Sequence, residues 1–223
     1  MIDHYAWRGG REVMLRFGPE TGPVVMVALP LFEEANRVRA LAVSVCRALA
    51  DRGVASVLPD LPGQGESLVP LQDCTLSDMQ DGFHTVCEVM RTTGRLPFCV
   101  SIRSGALLAP PAMPHWCLAP QDTTDLLRHL RRIQQAGNLH RVPETTGPIA
   151  GNPISAAFLG ELAAPETAPA PVTRTLRLNG DPAEADRHVA GNPLWRRAEP
   201  DNDAALAQVL AADIAAWIAS CAG

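Results

Sequence analysis

Apolar positions along this chain fall into two alternating patterns. Short continuous runs occupy Val24 to Leu29, Val54 to Leu58, Phe98 to Ile102 and Trp116 to Leu118. Runs of this kind predict strands covered on both faces, as in a parallel sheet. Val13 to Phe17 and Thr173 to Leu178 predict two more strands. Between them, apolar residues recur three and four positions apart, the spacing of one helix face. Asn36 to Asp51 places Val38, Leu41, Ala42, Val45 and Leu49 on such a stripe and stops at Gly53. Leu76 to Met90 (with Ser77 as cap), Thr124 to Gln135, Ser155 to Ala164 and Asp203 to Ser220 predict further helices. Strand and helix alternation predicts an α/β fold, a mostly parallel sheet with helices on both faces. Pro165 to Val172 reads as a connector inside one domain spanning 1–223, and about 121–164 as a short cap-like helical segment. The tetrapeptide Ala-Gly-Asn-Pro at 150–153 and 190–193 has no flanking similarity and is read as chance.

Composition narrows the function classes. The 223 residues fit one domain, with 47% hydrophobic and 19% charged residues. A formal charge of −5 offers no basic field for nucleic acid. The 19 basic residues are all arginine, which reads as the codon bias of a GC-rich genome. Met1 to Arg8 lacks the basic start and apolar run of a signal peptide, and no uncharged apolar stretch of membrane-spanning length occurs. The six cysteines form no C-x-x-C pair, so zinc-site spacing is absent, and most sit in apolar runs and read as buried small hydrophobes, so no disulfide framework is expected. These features predict a cytoplasmic protein with no cofactor and no metal.

Two loops carry candidate chemistry. Asp60-Leu61-Pro62-Gly63-Gln64-Gly65-Glu66-Ser67 follows a predicted strand. It lacks the third glycine of a dinucleotide cradle, and the chain has no Walker lysine, but it suits a sharp turn. Val100-Ser101-Ile102-Arg103-Ser104-Gly105-Ala106 has the layout of a nucleophile elbow. Small residues at 101 and 105 allow strand and helix to pass closely. The apex, normally a nucleophile, is Arg103.

Together these loops resemble the α/β-hydrolase superfamily and, more narrowly, the exosortase A system-associated hydrolases of type 2. The residues that carry the resemblance are Pro30-Leu31-Phe32-Glu33-Glu34-Ala35-Asn36-Arg37-Val38-Arg39 and Ser101-Ile102-Arg103-Ser104-Gly105-Ala106-Leu107-Leu108-Ala109. The resemblance runs from about residue 20 to the C-terminus. It implies an α/β-hydrolase fold with a minimal cap and an association with exosortase and exopolysaccharide systems. Serine stands at 101 where that family has glycine. Prolines at 110, 111 and 114 predict a truncated helix behind the elbow.

Acyl transfer on this fold needs nucleophile, acid and base in that order. Arginine stays protonated and cannot attack a carbonyl. Ser104, one residue past the apex, is the remaining candidate nucleophile, with Asp186 and His188 as candidate acid and base. Asp181 is a second candidate acid. No histidine follows His188, and Pro30 offers no amide to an oxyanion. The chain therefore reads as a degenerate, non-hydrolytic member that binds an anionic small molecule or a partner. Arg103, Glu33, Glu34 and Asp60 are its candidate ligand-binding residues, since α/β folds bind ligands at the carboxyl ends of their strands. An active serine esterase or thioesterase through Ser104 is the alternative. The arginines of 124–135, Arg128, Arg131 and Arg132, offer a face for a protein partner or a membrane surface.

Overall fold

Every residue of four strands is buried, and these strands form the middle of one sheet. They are β3 (Val24–Ala28), β4 (Ala55–Pro59), β5 (Pro97–Ile102) and β6 (His115–Leu118). The computed structural model describes residues 1–138, 149, 151–164 and 174–221. The sheet has eight strands in the order β1-β2-β4-β3-β5-β6-β7-β8. β1 (Ile2–Trp7) and β2 (Gly10–Phe17) form an antiparallel hairpin, and β2 joins β4 antiparallel. All pairings from β4 to β7 (Arg174–Leu178) and β8 (Arg187–Val189) are parallel.

α1 (Glu33–Ala50) and α5 (Ala204–Cys221) cover one face of the sheet. α2 (Leu76–Thr92), α3 (Thr123–Asn138) and α4 (Ala156–Ala163) lie with the core of the other. α5 is long and apolar enough to cross a membrane by length and composition. Here Leu206, Leu210, Ile214, Trp217 and Ile218 bury its inner stripe in the core shared with α1.

The sequence pattern misses β1 and β8. β1 buries only Tyr5 and β8 is three residues long, too little for a period. α1 starts at Glu33, three residues before the expected Asn36, so its acidic pair meets the positive end of the helix dipole. The cap of α2 is Thr75, not Ser77. Thr75 Oγ1 accepts from the Asp78 amide at 3.1 Å and the Asp78 carboxylate accepts from the Thr75 amide at 3.0 Å. The expected connector 165–172 lies outside the described residues.

From β3 the chain crosses to β4 on one side and then returns to β5 on the other. The strand order thus reverses at β3. The loops leaving β3 and β5 meet at this switch point, where an open α/β sheet opens its ligand crevice.

Candidate functional site

Three non-glycine residues among those described adopt positive φ: Phe32 (62°), Arg103 (55°) and Ala119 (50°). They follow β3, β5 and β6 at the carboxyl ends of neighbouring strands. L-residues adopt this conformation at a cost of about 1–3 kcal/mol, and such strain gathers at functional sites.

The strained apex is Arg103. The chain leaves β5 and turns at once into a 3-10 segment, Arg103–Leu108. Gly105 makes the turn possible, because a Cβ there would lie 2.4 Å from Ala28 O and 2.6 Å from Leu29 O. The segment stops before Pro110 as expected, and α2 takes up its last carbonyls. Gln80 Nε2 donates to Leu107 O at 2.8 Å, and His84 Nε2 lies 3.1 Å from Leu108 O. Burial lowers the pKa of His84, which is half-buried against this segment.

The Arg103 side chain reaches back over the α1 N-terminus. Its Nε donates to Glu34 Oε2 at 3.2 Å, and the guanidinium carbon sits 5.3 Å from the Trp195 ring centroid. Glu34 rather than Glu33 meets it, because Glu34 lies on the buried face of α1 with Val38, Leu41 and Val45. Glu33 instead accepts from Asn152 Nδ2 at 3.1 Å. The second Glu34 oxygen lies 4.0 Å from His129 Nε2 on α3. Three residues that each touch Arg103 or Glu34 carry a buried polar atom with no hydrogen-bond partner among the described residues: His129 Nε2, Gln121 Oε1 and Trp195 Nε1. Gln121 is tied to the apex by its own amide, which donates to Arg103 O at 3.4 Å. Sequence reading does not place Gln121, His129 and Trp195 at the apex: Gln121 lies in the short connection between β6 and α3, His129 on α3 and Trp195 in the 3-10 turn Leu194–Arg196.

Ser104 is fully buried, and its Oγ accepts from the Leu31 amide at 3.0 Å. The amide that faces the elbow is thus that of Leu31, not the position of Pro30. It is already engaged by a protein hydroxyl. Asp186 and His188 lie at the sheet edge. The Asp186 carboxylate accepts from the Thr175 amide at 2.6 Å, and exposed His188 contacts the carbonyls of Asp181 and Ala183 at 3.0 and 3.1 Å. His188, in β8, is level with Arg177 of β7. Three strand spacings of about 4.8 Å, or about 14 Å in all, separate β8 from β5. The structure does not bring Ser104, Asp186 and His188 together. Asp181 accepts from Arg177 Nη1 at 2.7 Å. Burial acts to raise its pKa, but the Ala183 amide and Arg177 hold it below the usual carboxylate range.

The sheet register creates a serine–histidine contact elsewhere. Ser101 Oγ lies 2.6 Å from His115 Nε2 and donates to Cys117 Sγ at 2.9 Å. Both residues are fully buried beneath the elbow, so no substrate reaches them. Burial alone lowers His115 to about 4, which keeps it neutral.

Asp60 organises its own loop. It is buried, lies 2.8 Å from Arg39 Nη1, and accepts from the Glu66 amide at 3.3 Å. Gly65 presses on it, since a Cβ there would lie 2.3 Å from Asp60 Oδ1. On α3, Leu126 and Leu130 are buried, Arg128 pairs with Asp125, and Arg131 and Arg132 face outward. Among the described residues no three His, Cys, Asp or Glu side chains gather as a metal site.

No family model matches the chain, and no curated protein does. Solved structures do. The mouse α/β hydrolase domain-containing protein 10 superposes with TM-score 0.66 at 16% identity over 99% of both chains. A hydrolase candidate from Agrobacterium vitis S4 gives 0.56 at 13% identity over 79% of this chain and 77% of its own. Epoxide hydrolase VrEH1 from Vigna radiata gives 0.41 at 22% identity over 53% of this chain, which spans only 39% of the plant enzyme. With strand order, elbow and full-length superposition in agreement, the chain has an α/β-hydrolase fold.

Proposed function

We propose that this protein is a non-hydrolytic α/β-hydrolase-fold protein that binds an anionic small molecule at the elbow apex. One observation carries the reading: the guanidinium of Arg103 stands where the fold keeps its nucleophile, and of its nitrogens only Nε has a hydrogen-bond partner among the described residues. The terminal amino groups form a planar fork suited to a carboxylate or phosphate. Glu33, Glu34 and Asp60 flank or shape the same end of the sheet. The burial of Ser104 and its bond to Leu31 argue against acyl transfer through that hydroxyl.

The resemblance of the Pro30–Arg39 and Ser101–Ala109 segments to exosortase-associated hydrolases supports an envelope or exopolysaccharide context. Six free cysteines support a reducing cytoplasm.

Two measurements test the reading. Calorimetric titration with D-glucuronate should show binding that weakens about tenfold or more in Arg103→Ala, as expected for a lost charge-assisted pair. Equal affinities, or no binding to the unmodified chain, would overturn it. A serine-directed fluorophosphonate should leave the intact mass unchanged. A stoichiometric adduct that disappears in Ser104→Ala would establish the hydrolase alternative instead.

A further inference from the structure

The buried Glu34 carboxylate stands between an arginine and a histidine. Its Oε2 accepts from Arg103 Nε at 3.2 Å, and its Oε1 lies 4.0 Å from His129 Nε2. At that distance His129 and Glu34 are not bonded. His129 Nε2 is sealed from solvent and has no hydrogen-bond partner among the described residues. The His129 side chain as a whole is 36% exposed, so a proton can reach the ring from solvent.

Among the described residues Arg103 is the only fixed cation within ion-pair range of Glu34. The other charged groups on the surrounding elements have partners of their own or face outward. On α1, Glu33 accepts from Asn152 Nδ2 at 3.1 Å, and Arg37 donates to Trp195 O at 3.0 Å. On α3, Asp125 pairs with Arg128, while Arg131 and Arg132 are exposed. On α4, which packs against α3, Glu161 accepts from the Ser77 amide at 2.8 Å. Arg103 and Glu34 thus cancel, and a carboxylate on the Arg103 fork adds an unbalanced negative charge beside a buried one. Such a charge is costly. Of all these groups only a histidine ordinarily changes charge between about pH 5 and pH 8.

Taking the elbow as the anion site argued above, we propose that it binds a monoanionic carboxylate together with one proton, which His129 takes up from solvent. Protonated His129 turns its approach to Glu34 into an ion pair, and the Arg103 fork is left to the ligand. Arg103, Glu34 and protonated His129 sum to a single positive charge. One carboxylate neutralises it, whereas a phosphomonoester dianion overshoots it. By linkage, anion affinity rises as pH falls through the range where the complex holds the proton and the free protein does not.

The test is calorimetric titration of the full chain with D-glucuronate in bis-Tris and Tris buffers, whose ionisation enthalpies differ. Glucuronate is fully ionised near neutral pH, so a proton taken up on binding belongs to the protein. The unmodified chain should take up a large fraction of one proton at about pH 7 and bind roughly tenfold more tightly at about pH 6 than at about pH 8. His129→Gln should bind without proton uptake and with the same affinity at both pH values. His129→Arg, a permanent cation, should also bind without uptake but more tightly than His129→Gln. At about pH 8 glucose 6-phosphate, a dianion there, should bind about tenfold more weakly than glucuronate to the unmodified chain. Uptake that persists in His129→Gln would put the proton on Glu34 and overturn the assignment, as would equal affinities of the two variants. Glucose 6-phosphate binding as tightly as glucuronate would overturn the monoanion class. Glucuronate binding without proton uptake would overturn this inference and leave the anion site standing. No glucuronate binding at any pH would overturn the anion site and this inference with it.

Discussion

Asp213 and Glu34 are both buried carboxylates that meet arginine, and they are completed to very different degrees. Asp213 on α5 accepts at 2.7 and 2.8 Å from Arg174 Nε and Nη2, at 2.9 Å from Trp116 Nε1 and at 2.9 Å from Arg187 Nη1. Each oxygen takes two bonds, which uses the four lone-pair sites of a carboxylate. Glu34 receives one bond from Arg103, at 3.2 Å, and the unpartnered His129 Nε2 lies 4.0 Å from its other oxygen. The first cluster ties α5 to β6, β7 and β8 and has no capacity left for a ligand. The second sits at the switch point on strained backbone with donors to spare. A completed buried network rigidifies, whereas an incomplete one is costly unless something else completes it. The contrast separates the scaffold from the proposed ligand site without appeal to a sequence motif.

The largest effect expected from breaking this contrast is at Asp213. Asp213→Ala leaves Arg174, Arg187 and the Trp116 indole without their shared acceptor and should cost about 3–5 kcal/mol. Urea unfolding would measure it, and a loss below about 1 kcal/mol would mean that the cluster is not the scaffold described here.

Next in size is Gly105→Ala. The added methyl would drive the elbow from β3 and should cost about 1–3 kcal/mol through overpacking. The same variant should weaken glucuronate, because it displaces Arg103 from Trp195.

Acid titration sharpens the comparison. Burial acts to raise the pKa of Asp213, but the bonds from Arg174, Trp116 and Arg187 outweigh it and hold the group at about 2, against 3.8 for a free side chain. A depressed carboxylate stabilises the fold above its unfolded pKa, and that stability is lost as pH falls through the folded value. About 2 kcal/mol should therefore be fully present above about pH 5 and disappear between about pH 4 and pH 2. The difference between the unmodified chain and Asp213→Asn across that range isolates this group from the other carboxylates.

The sequence discloses the two clusters unequally. Arg103 is legible because the elbow is local: Ser101, Arg103 and Gly105 sit within five positions and need only the strand-to-turn spacing. That Arg103 meets the α1 acidic pair is legible too, from the switch point. The choice of Glu34 over Glu33 follows from the helix face once the start of α1 is known. The Asp213 cluster is not legible, because its donors lie at sequence separations of 26, 39 and 97. Nothing in Asp203 to Ser220 marks Asp213 as other than a solvated residue until β6 and β7 stand beside α5. Similarly, Asp186 and His188 look like an acid loop in sequence, but only the parallel pairing of β8 places them at an edge far from β5.

The smallest effect is expected where the site is least complete. Arg103→Gly alone should strip Glu34 of its cation and destabilise the fold. Combined with Glu34→Gln, it removes both charges, and glycine accepts φ 55° without the strain that arginine bears. Relief of that backbone should offset the lost pair, leaving the double variant within about 1 kcal/mol of the original. Urea midpoints at neutral pH give the comparison, with glucuronate affinity as the second readout. Retained stability with lost glucuronate binding is the outcome that a ligand site predicts. A loss as large as that of Asp213→Ala would place the Arg103–Glu34 pair in the scaffold, and the distinction between the two clusters would fail.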